Sequence, residues 1–262
     1  MLSLAIAATV HIGVFGLFHP MQLDVQPAHG NVLVIASDSG QQTLEGSAVA
    51  HFRGPARVTG RDGRDAAFFL SVPGKIRREF HGKLEIRKAE GHLEAIVEMD
   101  LETAVASIVA AEGSDAVPME ARKAQAVVAR SFLEAERGRH KDFDFCDTTH
   151  CQFLREPPAE SSAAGRAAAD THGQVLMYGG HVVAALYSAD CGGLTRTLKD
   201  AGWRDAEGLD GYPFFGVECP IRGAVSGHRV GMCQTGAAEM ARRGASFREI
   251  LRHYFPATVM GP

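Results

Sequence analysis

The stretch Phe80–Glu102, FHGKLEIRKAEGHLEAIVEMDLE, carries apolar residues alternating with charged ones on either side of Glu90-Gly91. Alternation with a period of two puts one face of an extended segment on a core. A Gly between two such segments supplies the turn. The stretch therefore reads as a hairpin, with strands at Leu84–Arg87 and His92–Met99. Working toward the N-terminus, Asn31–Ala36, Ala48–Phe52 and Ala66–Val72 are further short strands. They are separated by clusters of Gly, Asp and Asn such as VTGRDGRDA, residues 58–66, which is turn chemistry.

The pattern changes at Leu101. LETAVASIVAAEG predicts a short helix ending at Gly113. SDAVPMEARKAQAVVARSFLEAERGR predicts a longer one, with Pro118 in its first turn and Gly138 as its stop. Its interior is built mainly of Ala, Glu, Arg, Lys and Gln, all strong helix formers. Glu120, Lys123, Ala124, Val127 and Ser131 share one face at spacings of three and four. Residues 155–172 are polar and rich in Ala, Ser and Pro, with a short helix in AAGRAAADTHG. Strands Gln174–Tyr178 and His181–Ser188 follow, joined by Gly179-Gly180, and Trp203 falls in a loop. The C-terminal part reads as a glycine-rich turn, a helix over Thr235–Arg243, a stop at Gly244 and a helix over Ser246–Tyr254. Ser246 and Glu249 there form a capping box. The expected fold is α+β: a mostly antiparallel β framework with the Glu120 helix packed across it and further helices at the C-terminus. Residues 1–100 form the β-rich part and 101–262 the part carrying the chemistry, within one continuous globular unit.

Composition narrows the function classes. The 262 residues hold 27 Lys+Arg against 31 Asp+Glu, a net charge of −4, so a nucleic-acid partner has no electrostatic support. Hydrophobic residues at 45% and charged residues at 22% argue against disorder. Five Cys cannot all pair within one chain. Met1–Phe18 is apolar, but His11 interrupts it and no Lys or Arg precedes it. It fits a first buried strand over His11–Phe18, stopped by Pro20, or the remnant of a secretory signal. No other stretch approaches the ~18 apolar residues of a membrane span.

Three constellations could carry chemistry. RHKDFDFCDTTHCQ, residues 139–152, places His140, Cys146, His150 and Cys151 close in sequence. Two imidazoles and two thiolates complete a tetrahedral zinc shell, provided the backbone turns sharply at His150-Cys151. The alternative is unrelated surface His and buried Cys. Glu120 is either a functional carboxylate on an inner helix face, or a first-turn Glu complementing the helix dipole or paired with Lys123 or Arg130. SGHRVGMCQTGA, residues 226–237, flanks His228 with glycines that let backbone approach a ligand, or simply form a tight turn. Cys191, Cys219 and Cys233 are core residues, unless Cys191 and Cys219 pair in an oxidising compartment.

Taken in order, five segments resemble the SpoIID/LytB family of bacterial proteins acting on peptidoglycan. They are AAEGSDAVPMEARKAQAVVARSF, FDFCDTTHCQ, AADTHGQVLMYGGHVVAALYSADCGGLT, DGYPFFGVECP and GHRVGMCQTGAAEMARRGASFREILRHYFP. They lie between about 100 and 256. GKIRREFHGKLEIR is similar, less specifically, to the family's leading region. There are two departures. The family pattern GHGVGMSQ has Arg229 and Cys233 in place of a glycine and the serine, and its Ser-Gly-Gly is Cys191-Gly192-Gly193 here.

The resemblance implies lytic transglycosylase activity on peptidoglycan glycan strands, with an acidic residue on the EARKAQAVVAR helix, Glu120, as the catalytic acid/base. One carboxylate suffices because the sugar's own C6 hydroxyl is the nucleophile, giving a 1,6-anhydro-MurNAc end. Glu112, in the preceding element, is the control: Glu112→Gln is expected to retain at least some activity. Lys123, Arg130, Ser188, His228 and Gln234 are the candidate substrate contacts, with Lys123 directed at substrate or at another carboxylate. The resemblance also implies structural zinc on His140, Cys146, His150 and Cys151, an extracytoplasmic location, and other cell-wall hydrolases as partners. The rival readings are a zinc hydrolase, which four protein ligands disfavour, a non-catalytic glycan-binding or amidase-activator module, and a purely structural chain.

Overall fold

Strand Ile76–Ala89 organises the β-rich part of the molecule. In the computed structural model, residues 9–114, 116–203 and 211–262 are described. The first eight residues of the apolar N-terminal run, and Asp210 of the DGYPFFGVECP segment, therefore lie outside the described residues. The chain divides into two compact units, one of Ala7–Ser107 with Gly138–Pro157 and the other of Ile108–Arg137 with Pro158–Pro262.

In the first unit the long strand changes partners along its length. Its N-terminal half pairs antiparallel with Ala66–Val72, from Val72↔Ile76 to Ala66↔Gly82. Its C-terminal half pairs with Ala56–Gly60 and with His92–Asp100. Gly82 stands at the switch with φ +142, and a Cβ there would overlap the carbonyl oxygen of Glu98. Only glycine fits both the backbone conformation and the close approach. From this spine the sheet extends through Leu33–Ser37 and Gly40–Leu44 on one side, and through Thr9–Val14 and Phe145–Cys146 on the other. Leu23–Pro27 and Ala50–Phe52 continue from Ala66–Val72. The pairing of Phe145–Cys146 with Thr9–Val14 is parallel; the rest of this sheet is antiparallel. The Glu90-Gly91 hairpin closes as expected, with Ala89 opposite His92. The first strand stops at Val14 rather than running to Phe18. Phe15 adopts a left-handed conformation at φ 62 and a 3-10 turn, Gly16–Phe18, follows, leaving Leu17 exposed.

The second unit is built on a central helix. Helix α1, Leu101–Glu112, carries the chain from the first unit into the second. Helix α2, Met119–Ala135, begins after Pro118 and buries Ala121, Ala124, Val127 and Val128 in an apolar cluster with Val183, Val230, Met232, Ala237, Ile250 and Leu251. Helix α3, Ala163–Asp170, is capped by the Ser162 side chain. Helix α4, Gln234–Arg242, and helix α5, Phe247–Tyr254, close the unit, and the capping box of Ser246 and Glu249 is present at the start of α5. A small sheet joins Val175–Tyr178 to His181–Val182 and Val259–Gly261. The single strand expected over His181–Ser188 is two. His181–Val182 pairs back across the Gly179-Gly180 turn, whereas Tyr187–Ser188 pairs in parallel with Met232–Cys233. The buried run Val183–Ala185 between them turns the chain from one partner to the other.

Candidate functional site

Glu120 sits in the first turn of α2, and its carboxylate is engaged from two directions. One oxygen accepts the backbone N–H of Phe247, at the first residue of α5, at 2.8 Å. The other lies 3.3 Å from Lys123 Nζ, which also reaches Asp170 at 3.0 Å. The carboxylate thus complements the positive ends of two helices at once. Lys123 is held above the ordinary lysine range, first by its hydrogen bond to Asp170 and then by Glu120, against partial desolvation. Of the two directions expected for Lys123, the structure gives the second.

Arg130 takes a different role from the one expected of it. Its side chain is fully buried, and its guanidinium donates to the carbonyls of Ala126, Ala168 and Gln174 at 3.5, 3.3 and 3.1 Å. Ser131, on the same helix, donates to Val127 O at 2.7 Å and accepts the N–H of Leu176 at 2.9 Å. Both residues fasten α2 to its neighbours, and neither faces solvent.

A further set of polar groups gathers around Glu112, at a small cleft of the second unit. This residue ends α1, and it lines a cleft with Val109, Gly113, Val117, Ala121, Arg122, Gln125, Met232, Gln234 and Ala237. Among these described residues Glu112 is the one carboxylate. Arg122 holds the connection between α1 and α2 in shape by donating to Ser114 O at 2.6 Å and Val117 O at 3.2 Å. The Gln234 amide lies 3.5 Å from both Glu112 O and Gln125 Oε1. The hydroxyl of Tyr187 is sealed from solvent against Glu112 and Gln125. Desolvation, then the Glu112 charge, hold its pKa well above the ordinary phenol range, so it stays protonated, and the hydroxyl has no hydrogen-bond partner among the described residues.

His228 and Ser188 border the same strand pair. His228 Nδ1 accepts the N–H of Val230 at 3.0 Å, and the Trp203 ring lies 5.2 Å from the imidazole by centroids. Burial holds this imidazole below its ordinary range, against a hydrogen bond to the Tyr187 backbone. The Ser188 hydroxyl is buried and has no hydrogen-bond partner among the described residues. Gly227 and Gly231 let the turn press against Ser188 and Leu186; a Cβ at Gly231 would overlap Leu186 O, so these glycines serve close packing. Of the residues singled out in the sequence, Gln234 lines the cleft, Ser188 and His228 are not among its lining residues, and Lys123 and Arg130 bond to other groups. Sequence reasoning missed Tyr187, Gln125 and Arg122. The only signal for them was placement: two polar residues on an otherwise apolar helix face, and an aromatic beside the predicted Ser188.

The His/Cys segment of the first unit draws its four donors together. Cys146 Sγ is 3.5 Å from Cys151 Sγ and 3.7 Å from His150 Nδ1; Cys151 Sγ is 3.6 Å from His150 Nδ1 and 3.3 Å from His140 Nε2. Zn–S bonds of ~2.3 Å and Zn–N bonds of ~2.0 Å at tetrahedral angles demand edges of about 3.4–3.8 Å. The sharp turn needed at His150-Cys151 is present, with Cys151 N–H bonded to Thr148 O at 3.1 Å. Cys146 is brought down to about 3, first by the Cys151 thiol and also by Thr148 and His150, while Cys151 is raised. The donor set fits a closed, four-ligand metal site. His140 stacks on Phe143 with centroids 4.5 Å apart, and the neighbouring Asp147 is bonded to Arg78 at 2.9 Å, which anchors the segment.

Residues 89–178 match SpoIID, the stage II sporulation protein family. The SpoIID match runs from the end of the hairpin through α1, α2 and α3 to Tyr178. It includes Glu112, Glu120, Gln125 and the His/Cys quartet, and it stops before Tyr187, His228 and Gln234. It supports a cell-wall-related role. The chain is also 28% identical over 150 residues to an uncharacterized protein of Brachyspira hyodysenteriae. That alignment covers 56% of this chain and 37% of the relative, so the chain spans little more than a third of that protein's length. Among the described residues, no helix is long and apolar enough to cross a membrane.

Proposed function

We propose that this chain is a lytic transglycosylase of peptidoglycan, cleaving the MurNAc–GlcNAc bond, and that Glu112 is its acid/base. The observation that carries the reading is the Glu112 cleft: among the described residues that line it, one carboxylate stands with the Arg122 guanidinium, the Gln125 and Gln234 amides and apolar walls, with a buried phenol nearby. A hydrolase of the ordinary two-carboxylate kind needs a second acid within ~5–10 Å across the scissile bond. A transglycosylase needs only one. Glu112 protonates the leaving glycosidic oxygen, the C6 hydroxyl of the same sugar attacks C1, and Glu112 then takes the hydroxyl proton, so it ends as it began. Gln125 and Gln234 are placed to bond sugar hydroxyls or the acetamido group. Tyr187 steadies the carboxylate between its two protonation states. Glu120, expected from the sequence to fill this role, is favoured less because it does not line this cleft; its oxygens meet the Phe247 N–H and Lys123.

The His140, Cys146, His150 and Cys151 quartet is proposed to hold a structural zinc; four protein ligands leave no position for an attacking water. The extracytoplasmic location is proposed from the substrate, which lies outside the cytoplasmic membrane.

The test is digestion of purified glycan strands followed by mass spectrometry of the ends. Anhydro-MurNAc ends support the reading. Free reducing ends make the chain a hydrolase, and binding without cleavage makes it a glycan-binding or activator module; either overturns the proposal.

A further inference from the structure

The second unit contains a buried cluster of three thiols that neither the cleft nor the His/Cys quartet uses. Cys191, Cys219 and Cys233 are 0%, 6% and 0% exposed, and their sulfurs all lie within 4.8 Å of one another. They come from three separate segments: strand Asp190–Cys191, the loop following Phe214, and the residue preceding α4. Backbone hydrogen bonds fix the arrangement. Cys219 N–H donates to Gly193 O at 2.9 Å, and Thr235 N–H donates to Ala189 O at 3.2 Å. The Tyr254 hydroxyl lies 3.2 Å from Cys219 Sγ. A Cβ at Gly236 would overlap both of those atoms, so the site is closed on that side by a bare backbone. Two of the three thiols, Cys191 and Cys233, are the serine-to-cysteine departures seen in the sequence. Two separate departures thus meet in one place.

We propose that Cys191, Cys219 and Cys233 form a second metal site, binding a thiophilic d10 ion, Zn2+ or Cu(I), through three sulfurs. Three soft donors without a carboxylate or imidazole select such ions over hard ones such as Mg2+. Binding displaces the three thiol protons to solvent, leaving a net −1 with Zn2+ and −2 with Cu(I). A smaller buried charge costs less, which favours the divalent ion. Burial raises the Tyr254 phenol well above its ordinary range, so it remains an O–H donor to the Cys219 sulfur. The Cys233 thiol is brought down to about 5, first by the Cys219 thiol and also by Thr235 and backbone amides, while Cys219, first through its hydrogen bond to Cys233, and Cys191, first through burial, are held above the ordinary thiol range. Disulfide formation is the competing fate, and it leaves one thiol of the three unpaired.

The full-length chain, loaded under reductant with Zn2+ or with Cu(I) and desalted, is compared with the double variant Cys191→Ser, Cys233→Ser. The difference in metal content isolates this cluster from the His/Cys quartet. The expected result is a loss of one equivalent per chain in the variant, with no Mg2+ bound by either protein. Equal metal content in the two proteins overturns the proposal. A measurement independent of the variant's folding is cadmium NMR of the unsubstituted chain. A resonance in the range of three-sulfur coordination is expected. Its absence, or a mass two hydrogens lower that shows a disulfide among these cysteines in the reduced preparation, overturns the site.

Discussion

Arg130 shows how a charged residue on a central helix can be entirely architectural. Its guanidinium satisfies carbonyls from α2, from α3 and from the segment leading into Val175–Tyr178, with no exposed surface. Arg130→Ala leaves those carbonyls without their donor and opens a cavity, so the expected loss is about 3 kcal/mol or more, read by thermal unfolding. Glu120→Gln loses the charge opposite Lys123 but keeps an oxygen for the Phe247 N–H. The pair is partly exposed, and the expected change is about 1 kcal/mol or less. These two residues also show what sequence left open. A Glu in the first turn and an Arg on an apolar face are equally compatible with substrate contact and with internal bonding. Only the partner decides, and Phe247 lies far along the chain. The role proposed for Glu112 was not legible for the opposite reason. At the end of a short helix nothing local marks it, and its meaning comes from Gln125, Tyr187 and Gln234, which arrive from three other segments.

At the scale of elements, much that depends on neighbouring residues was legible, but strands Leu23–Pro27, Gly40–Leu44 and Ala56–Gly60 were not expected, and the last takes in the first three residues of VTGRDGRDA, read as a turn. The Glu90-Gly91 hairpin, strand Ala66–Val72, the helices, the Gly179-Gly180 turn and the Ser246 capping box follow from propensity, caps and turn chemistry. Ser246→Ala removes both halves of that cap and should lower stability by about 1 kcal/mol in denaturant titration. What escaped was long-range pairing. The strand expected at Leu84–Arg87 is the C-terminal part of a much longer one, Ile76–Ala89, because charged residues such as Arg77, Arg78 and Glu79 obscured the alternation. Gly82 gives no sign in sequence of being a switch between two pairing partners. Gly82→Ala should be among the most damaging small substitutions here, with an expected loss above about 2 kcal/mol, since it joins a strained φ to a clash with the Glu98 carbonyl. Recovery of near-wild-type stability in that variant would show that the crossing can relax.

For the whole molecule, the fold class and the His/Cys quartet were visible from the chain alone, the quartet because its donors are close in sequence. The Cys191, Cys219 and Cys233 cluster was not, because its members are brought together only by the fold. Chelation is expected to lower the unfolding temperature, since binding energy at the quartet is folding energy, and Cys146→Ser should lower metal content and unfolding temperature together. Metal-free protein with unchanged unfolding would remove the structural role proposed for the quartet. Fractionation of the native protein should find it outside the cytoplasmic membrane.

Glu112, rather than Glu120, is proposed to move the proton. The most direct measurement is release of anhydro-muropeptides from glycan strands by the wild type, by Glu112→Gln and by Glu120→Gln, each checked for folding by circular dichroism. General acid–base catalysis is typically worth about 10²–10⁴-fold. The account expects Glu112→Gln to lose product by at least that factor while still binding strands, and Glu120→Gln to stay within about tenfold of wild type. A Glu112→Gln variant that cleaves at the wild-type rate, with Glu120→Gln inactive but folded, would contradict it.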